Sequence, residues 1–134
     1  MSAAANKRLL QQIFAELAQG NSRLFVDSMA DDFRWTVIGG TKWSRTYDGK
    51  AAVLAELFAP LRAAIADKIV LTAHRFIAED DYVVVEARGS NTTKAGVPYN
   101  NSYCHVFRLG GGKLQAVMEY CDTELVAAAL GDPR

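Results

Sequence analysis

The chain has 134 residues, half of them hydrophobic and 22% charged, the make-up of a globular domain rather than of a disordered tail or a fibre. Its 15 lysines and arginines balance 15 aspartates and glutamates, so no net field draws in a nucleic-acid backbone or an anionic membrane, and neither is expected as a partner. The two cysteines, Cys104 and Cys121, are too few for a disulfide scaffold and read as reduced thiols of a cytoplasmic protein.

Charge interrupts every apolar stretch before the roughly 18 residues of a membrane-spanning helix. Met1 to Arg8 lack the apolar run and small-residue cleavage site of a secretory leader. With no internal repeat and no linker-like tract, a single domain over residues 1–134 is expected.

From Ala3 to Gln19, Leu9, Leu10, Ile13, Phe14 and Leu17 recur at steps of three and four, which predicts an amphipathic helix ended by Gly20. Asn21 or Ser22 can cap a second, shorter helix that carries Leu24, Phe25, Val26 and Met29 and closes at Asp31-Asp32. Phe33 to Ile38 reads as a short strand, and Gly39-Gly40 then opens a polar loop containing Trp43 and Tyr47. A third helix is predicted over Lys50 to Ala66, with a kink at Pro60, which lacks the amide hydrogen of a continuous helix. Four strand-like runs follow: Ile69 to Ala78, Tyr82 to Thr93, Tyr99 to Leu109 and Lys113 to Cys121. Their short connections, including the turn Gly110-Gly111-Gly112, make them antiparallel neighbours. A last helix spans Thr123 to Leu130, capped by Asp122 or Thr123 and stopped by Gly131 and Pro133.

Helices first and a long meander afterwards make an α+β fold, with helices packed against a curved antiparallel sheet. The expected shape is a cone-shaped α+β barrel, open at one end, which is the geometry of a small-molecule pocket.

This order of elements resembles a known superfamily at Ala30-Asp31-Asp32-Phe33 before the first strand and at Gly112-Lys113-Leu114 through Glu119-Tyr120-Cys121-Asp122-Thr123 at the last. The superfamily includes nuclear transport factor 2, ketosteroid isomerase and limonene epoxide hydrolase. The segment Tyr99-Asn100-Asn101-Ser102-Tyr103-Cys104-His105-Val106-Phe107-Arg108 is similar to its SnoaL-like branch, and the resemblance covers the whole chain. It implies the cone fold, and it implies isomerase, cyclase, hydrolase or non-enzymatic roles without choosing among them. Set against the isomerases, the positions of the catalytic tyrosine, base and second acid fall at Ile13, Val37 and Cys104, none of which can do that work. Set against the epoxide hydrolases, the functional positions become Trp35, Val37, Ala87, Gly89 and Glu119, and Glu119 alone keeps its chemistry.

Glu119 lies in a mostly apolar run, where period-two alternation groups it with Val117 and Cys121. A carboxyl on the cone-lining face is a general acid or base; at the rim it would pair instead with Arg88, Arg108 or another cation. Asp122 alternates to the opposite face and suits helix capping, while Asp31 and Asp32 suit a turn. His74 and His105 are strand histidines whose ordinary role is packing. Together with the two cysteines they lack the spacing of a zinc site, so neither metal nor cofactor is expected.

The candidate catalytic residue is therefore Glu119. The candidate substrate-binding set is Trp35, Val37, Trp43, Tyr47, Phe58, Asn100, Cys104, Val117 and Cys121. Trp43 and Tyr47 enter because their polar loop has no period that would bury them; Asn100 and Asn101 either bind ligand or fix the neighbouring loop. The expected activity is cofactor-independent acid/base chemistry on an apolar or polycyclic small molecule, with a non-catalytic ligand-binding or assembly module as the alternative.

Both sheet faces carry apolar residues: Tyr82 and Val84 share a face with Glu86 and Arg88, and Met118 and Tyr120 fall opposite Val117 and Glu119. A homodimer through the outer sheet face is expected, and the resemblance also implies a back-to-back dimer.

Overall fold

The computed structural model describes residues 1–133. Helices α1 (Ala3–Leu17) and α2 (Arg23–Asp27) precede strand β1 (Met29–Val37) and a three-residue strand β2 (Thr46–Asp48). A composite helix follows, made of α3 (Lys50–Ala52), a π-helical segment (Val53–Phe58) and α4 (Ala59–Ala64). Strands β3 (Leu71–Glu79), β4 (Tyr82–Gly89), β5 (Ser102–Gly110) and β6 (Lys113–Cys121) and helix α5 (Thr123–Leu130) complete the fold.

The six strands form one sheet in the order β2-β1-β6-β5-β4-β3. The meander β3 to β6 is antiparallel, with tight turns between β3 and β4 and between β5 and β6 and a longer loop, residues 90–101, between β4 and β5, but β1 joins β6 in parallel and makes the sheet mixed. The sheet curves without closing, and α1 packs across β3 and β4 on its concave side. There Leu10, Ile13 and Phe14 of α1 meet Phe33, Val83, Val85, Phe107 and Leu114 in the core. Phe14 sits edge-on to Phe76 and Phe107 at 6.1 and 6.2 Å, the geometry that aromatic quadrupoles favour.

Local chemistry accounts for most boundaries. Gly20 takes φ +77° just beyond α1, where a residue with a Cβ would be strained. Gly111 and Gly112 also take positive φ in the β5–β6 turn. The Asp122 carboxylate accepts the Leu125 amide at 3.2 Å and caps α5.

Several boundaries differ from the sequence reading. Met29 belongs to β1 rather than to the second helix, and Asp31 and Asp32 lie exposed within that strand. The third helix is irregular one turn before Pro60: this proline cannot donate to the Glu56 carbonyl four residues back, and the Ala59 amide bonds to Leu54, five residues back. Strands β4 and β5 are shorter than predicted because the Asn91 side chain substitutes for the sheet ladder. Its Oδ1 accepts from the Val70 amide at 2.8 Å and its Nδ2 donates to the Val70 carbonyl at 3.2 Å. Beyond it the chain turns back at Thr93, whose amide bonds to the Val97 carbonyl at 2.8 Å.

Asn101 is fully buried beside this loop and fixes it. Its Nδ2 donates to the Tyr99 hydroxyl and the Asp122 carbonyl, and its Oδ1 accepts from the Ser102 and Asp122 amides, all within 2.8–3.2 Å. Asn101→Ala orphans these groups and should lower the free energy of unfolding by roughly 3 kcal/mol. Urea denaturation measures it, and a loss below about 1 kcal/mol would show that water replaces the amide.

Candidate functional site

Between the concave sheet face and the helices lies a cavity of about 360 Å³, within the size range of small-molecule sites. Its walls are apolar: Leu17, Phe25, Leu57 and Phe58 from the helices, Trp35 and Val37 from β1, and Val126 and Leu130 from α5. The π-helical segment places both Leu57 and Phe58 on this wall. Trp35 packs edge-on against Phe58 at 5.4 Å and against Phe33 at 6.2 Å.

Glu119 lines the cavity, with 15% of its side chain exposed. Alternation along β6 sends it inward with Val117, while Arg88 and Arg108 leave the sheet on the opposite face. Neither arginine is its partner. Instead Glu119 Oε1 lies 2.9 Å from Nε2 of His105, whose side chain is 1% exposed and stands directly across from it on β5. The His105 ring stacks on Tyr103 at 5.3 Å and 11° and is hemmed in by Phe14, Trp35 and Phe107. His105 Nδ1 is buried without a hydrogen-bond partner, as is Trp35 Nε1. An orphaned lone pair is tolerated better than an orphaned buried N–H, so the proton belongs on Nε2, where it is donated to Glu119.

Tyr99 and Tyr103 add two hydroxyls to the cavity. Burial pushes Tyr99 up to about 12 and Tyr103 well above its ordinary 10.0, with the Glu119 charge contributing to both. Both phenols hold their protons at neutral pH. The Tyr99 oxygen accepts from Asn101 Nδ2 at 3.2 Å, which leaves its own O–H free to donate.

The pattern of the SnoaL-like domain family matches residues 10–117. The chain belongs to that family. No curated protein matches it by sequence. Among solved structures, a nuclear transport factor 2-like protein of unknown function from Burkholderia pseudomallei K96243 superposes with a TM-score of 0.82 at 21% identity, covering 98% of this chain and 99% of that one. TerC, co-crystallized with polyporic acid, gives 0.79 at 19% identity over 94% of this chain and 98% of its own. A protein with a ketosteroid isomerase-like fold from Catenulispora acidiphila DSM 44928, in complex with trimethylamine, gives 0.73 at 18% identity over 93% of each chain. At these identities the likeness shows the fold.

Of the predicted site residues, Glu119, Trp35, Val37, Trp43 and Phe58 line the cavity of this SnoaL-like domain. Tyr47 does not: β2 pairs it with Trp35 and buries it in the core, where its hydroxyl donates to the Trp43 carbonyl at 2.8 Å. Trp43 is buried rather than displayed on a loop, and its indole N–H donates to the Gly131 carbonyl at 2.7 Å, tying the wall to the end of α5. Asn100 is exposed, outside the cavity, with its Oδ1 taken by the Asn91 amide at 3.0 Å. Cys104 faces the outer side, opposite Tyr120 and Glu86. Val117 is buried in the core beneath the cavity, and Cys121, on the same side of β6, packs against the core without reaching the cavity. Sequence reasoning left out His105, Tyr99 and Tyr103 as site residues.

Burial raises the Cys121 thiol from 9.0 to about 12, as it raises Tyr99 from 10.0 to about 12. The folded state therefore grips these protons more tightly than the unfolded chain, a stabilisation complete below pH 9 and lost as the pH climbs to about 12. The free energy of unfolding should fall across that interval, and Tyr99→Phe should flatten the portion above pH 10. Identical slopes for the two proteins in chemical denaturation would contradict the assignment.

Proposed function

We propose that this SnoaL-like domain is a cofactor-independent enzyme that performs acid/base chemistry on an apolar or polycyclic small molecule, moving a proton within it in an isomerase or cyclase type of reaction or between it and water in a hydrolase type. The observation that carries the reading is one carboxylate, Glu119, inside a mostly apolar cavity, fixed by a hydrogen bond from a fully buried imidazole. His105 orients the carboxylate through Nε2, and the remaining oxygen of Glu119 takes or returns the proton. A ligand oxygen that gains charge as the proton leaves is met by the Tyr99 O–H, which burial keeps protonated. Small molecules named with the related structures, polyporic acid and trimethylamine, support a ligand in the cavity.

Incubation with a metabolite library tests this. The protein should convert a component that native mass spectrometry finds bound to it, and Glu119→Gln should slow conversion at least about 100-fold while still binding it. A component that binds and is returned unchanged contradicts catalysis and identifies a binding module.

The same reading includes a cytoplasmic homodimer. Cys104 and Cys121 leave neighbouring strands on opposite faces and cannot bridge each other. On the outer face Ile77, Val84, Val106 and Met118 stand in register across four strands, flanked by Tyr82 and Tyr120, which are 48% and 45% exposed. Such an apolar row rimmed by Arg75, Glu86 and Arg108 suits a two-fold contact with a second copy. Sedimentation at micromolar concentration should give twice the 14.6 kDa chain mass. Tyr120→Glu should dissociate the dimer without unfolding it, and a wild-type monomer would exclude this interface.

A further inference from the structure

Charge is distributed unevenly along the cavity. Glu119 is inside and partnered, whereas the other charged lining residues, Arg62 of α4 and Asp67 and Lys68 of the segment leading to β3, are exposed and so stand at the opening. Arg62 is held over the wall itself, its guanidinium carbon 5.9 Å from the Phe58 ring centre. Lys68 is seated by Gly20: a Cβ there would lie 2.8 Å from both Cβ and Cδ of the lysine, so the bare Cα makes room for the methylene stem. Among the described residues neither cation forms an ion pair. Asp67 turns one carboxylate oxygen back to the Lys68 amide at 2.8 Å. Two cations and one anion leave the mouth net positive, opposite in sign to the carboxylate inside.

From this polarity we infer that the ligand is an apolar, ring-bearing acid that enters body first and leaves its carboxylate at the mouth between Arg62 and Lys68. The opposite orientation would set two carboxylates together in a poorly solvated cavity, where like charges repel most strongly. An amine would meet both cations on the way in, and a neutral ligand would leave them unused. The guanidinium fork over Phe58 offers paired donors to a carboxylate, and the lysine beside Gly20 adds a second charge at the opening. The inference rests on the proposed function in one respect, that the end of the ligand beside Glu119 is the reacting end.

Calorimetric titration with 2-naphthoate, 2-naphthamide and 2-naphthylmethylamine separates charge from shape. At low ionic strength 2-naphthoate should bind about fivefold to tenfold more tightly than the amide, and the amine should bind most weakly. The preference should shrink about threefold in Arg62→Gln and in Lys68→Gln, vanish in the double variant, and weaken with added salt. Both residues are exposed, and unchanged thermal melting confirms that the variants fold. Equal binding of acid and amide, tightest binding of the amine, a preference that survives the double substitution, or no binding of any probe would each overturn the inference. None of these results touches the proton-transfer role of Glu119, which is read from product formation and the Glu119→Gln variant.

Discussion

The pairing of β5 with β6 is the constraint on which the rest of the site depends. Gln115 is an extra residue on β6: Leu109 stands opposite Leu114, but Arg108 stands opposite Ala116. That shift of one position sets His105 opposite Glu119 and gives both the concave face. Without it, counting back from the Gly110–Lys113 pair would place His105 across from Met118. Because side chains alternate with period two, the bulge decides whether the carboxylate meets an imidazole or the outer surface.

Around this pair the fold builds an apolar-walled cavity in two ways. Aromatic rings from α1, α2, β1, β5 and the π-helical segment contact one another edge-on or tilted, at 5.4–6.2 Å, and fix the walls without supplying polar groups. Helix α5 then adds Val126 and Leu130 to the wall, capped by Asp122, anchored through Asn101 and tied at its far end by Trp43 to Gly131. Polar atoms are thus concentrated where they fix the wall, at Asn101 and Trp43, or where they line the cavity, at Glu119, Tyr99 and the charged mouth.

How much was legible in the sequence differs from element to element. Gly20, the triple-glycine turn and the Asp122 cap announced their conformations because each residue type has few alternatives there. The cone fold followed from the order of elements and the resemblance, and Glu119 from its alternation with Val117. His105 was hidden because a bulge leaves no local signature, and a strand histidine looks the same whether its neighbour is Met118 or Glu119. Tyr47 was misplaced because β2 is three residues long and its burial is imposed by Trp35 across the pair, not by any period of its own. Asn101 and Asn91 illustrate a further limit: each lies in a strand-like run, and each ended it by bonding to backbone groups far along the chain.

Glu119 is held by a proton on His105 Nε2. Long-range ¹H–¹⁵N correlation of the imidazole at neutral pH reports which nitrogen carries that proton. The wild type should show a protonated Nε2 and a bare Nδ1, with the Nε2 signal displaced in Glu119→Gln. An Nδ1–H tautomer, or a ring that exchanges freely with solvent and ignores the substitution, would contradict it.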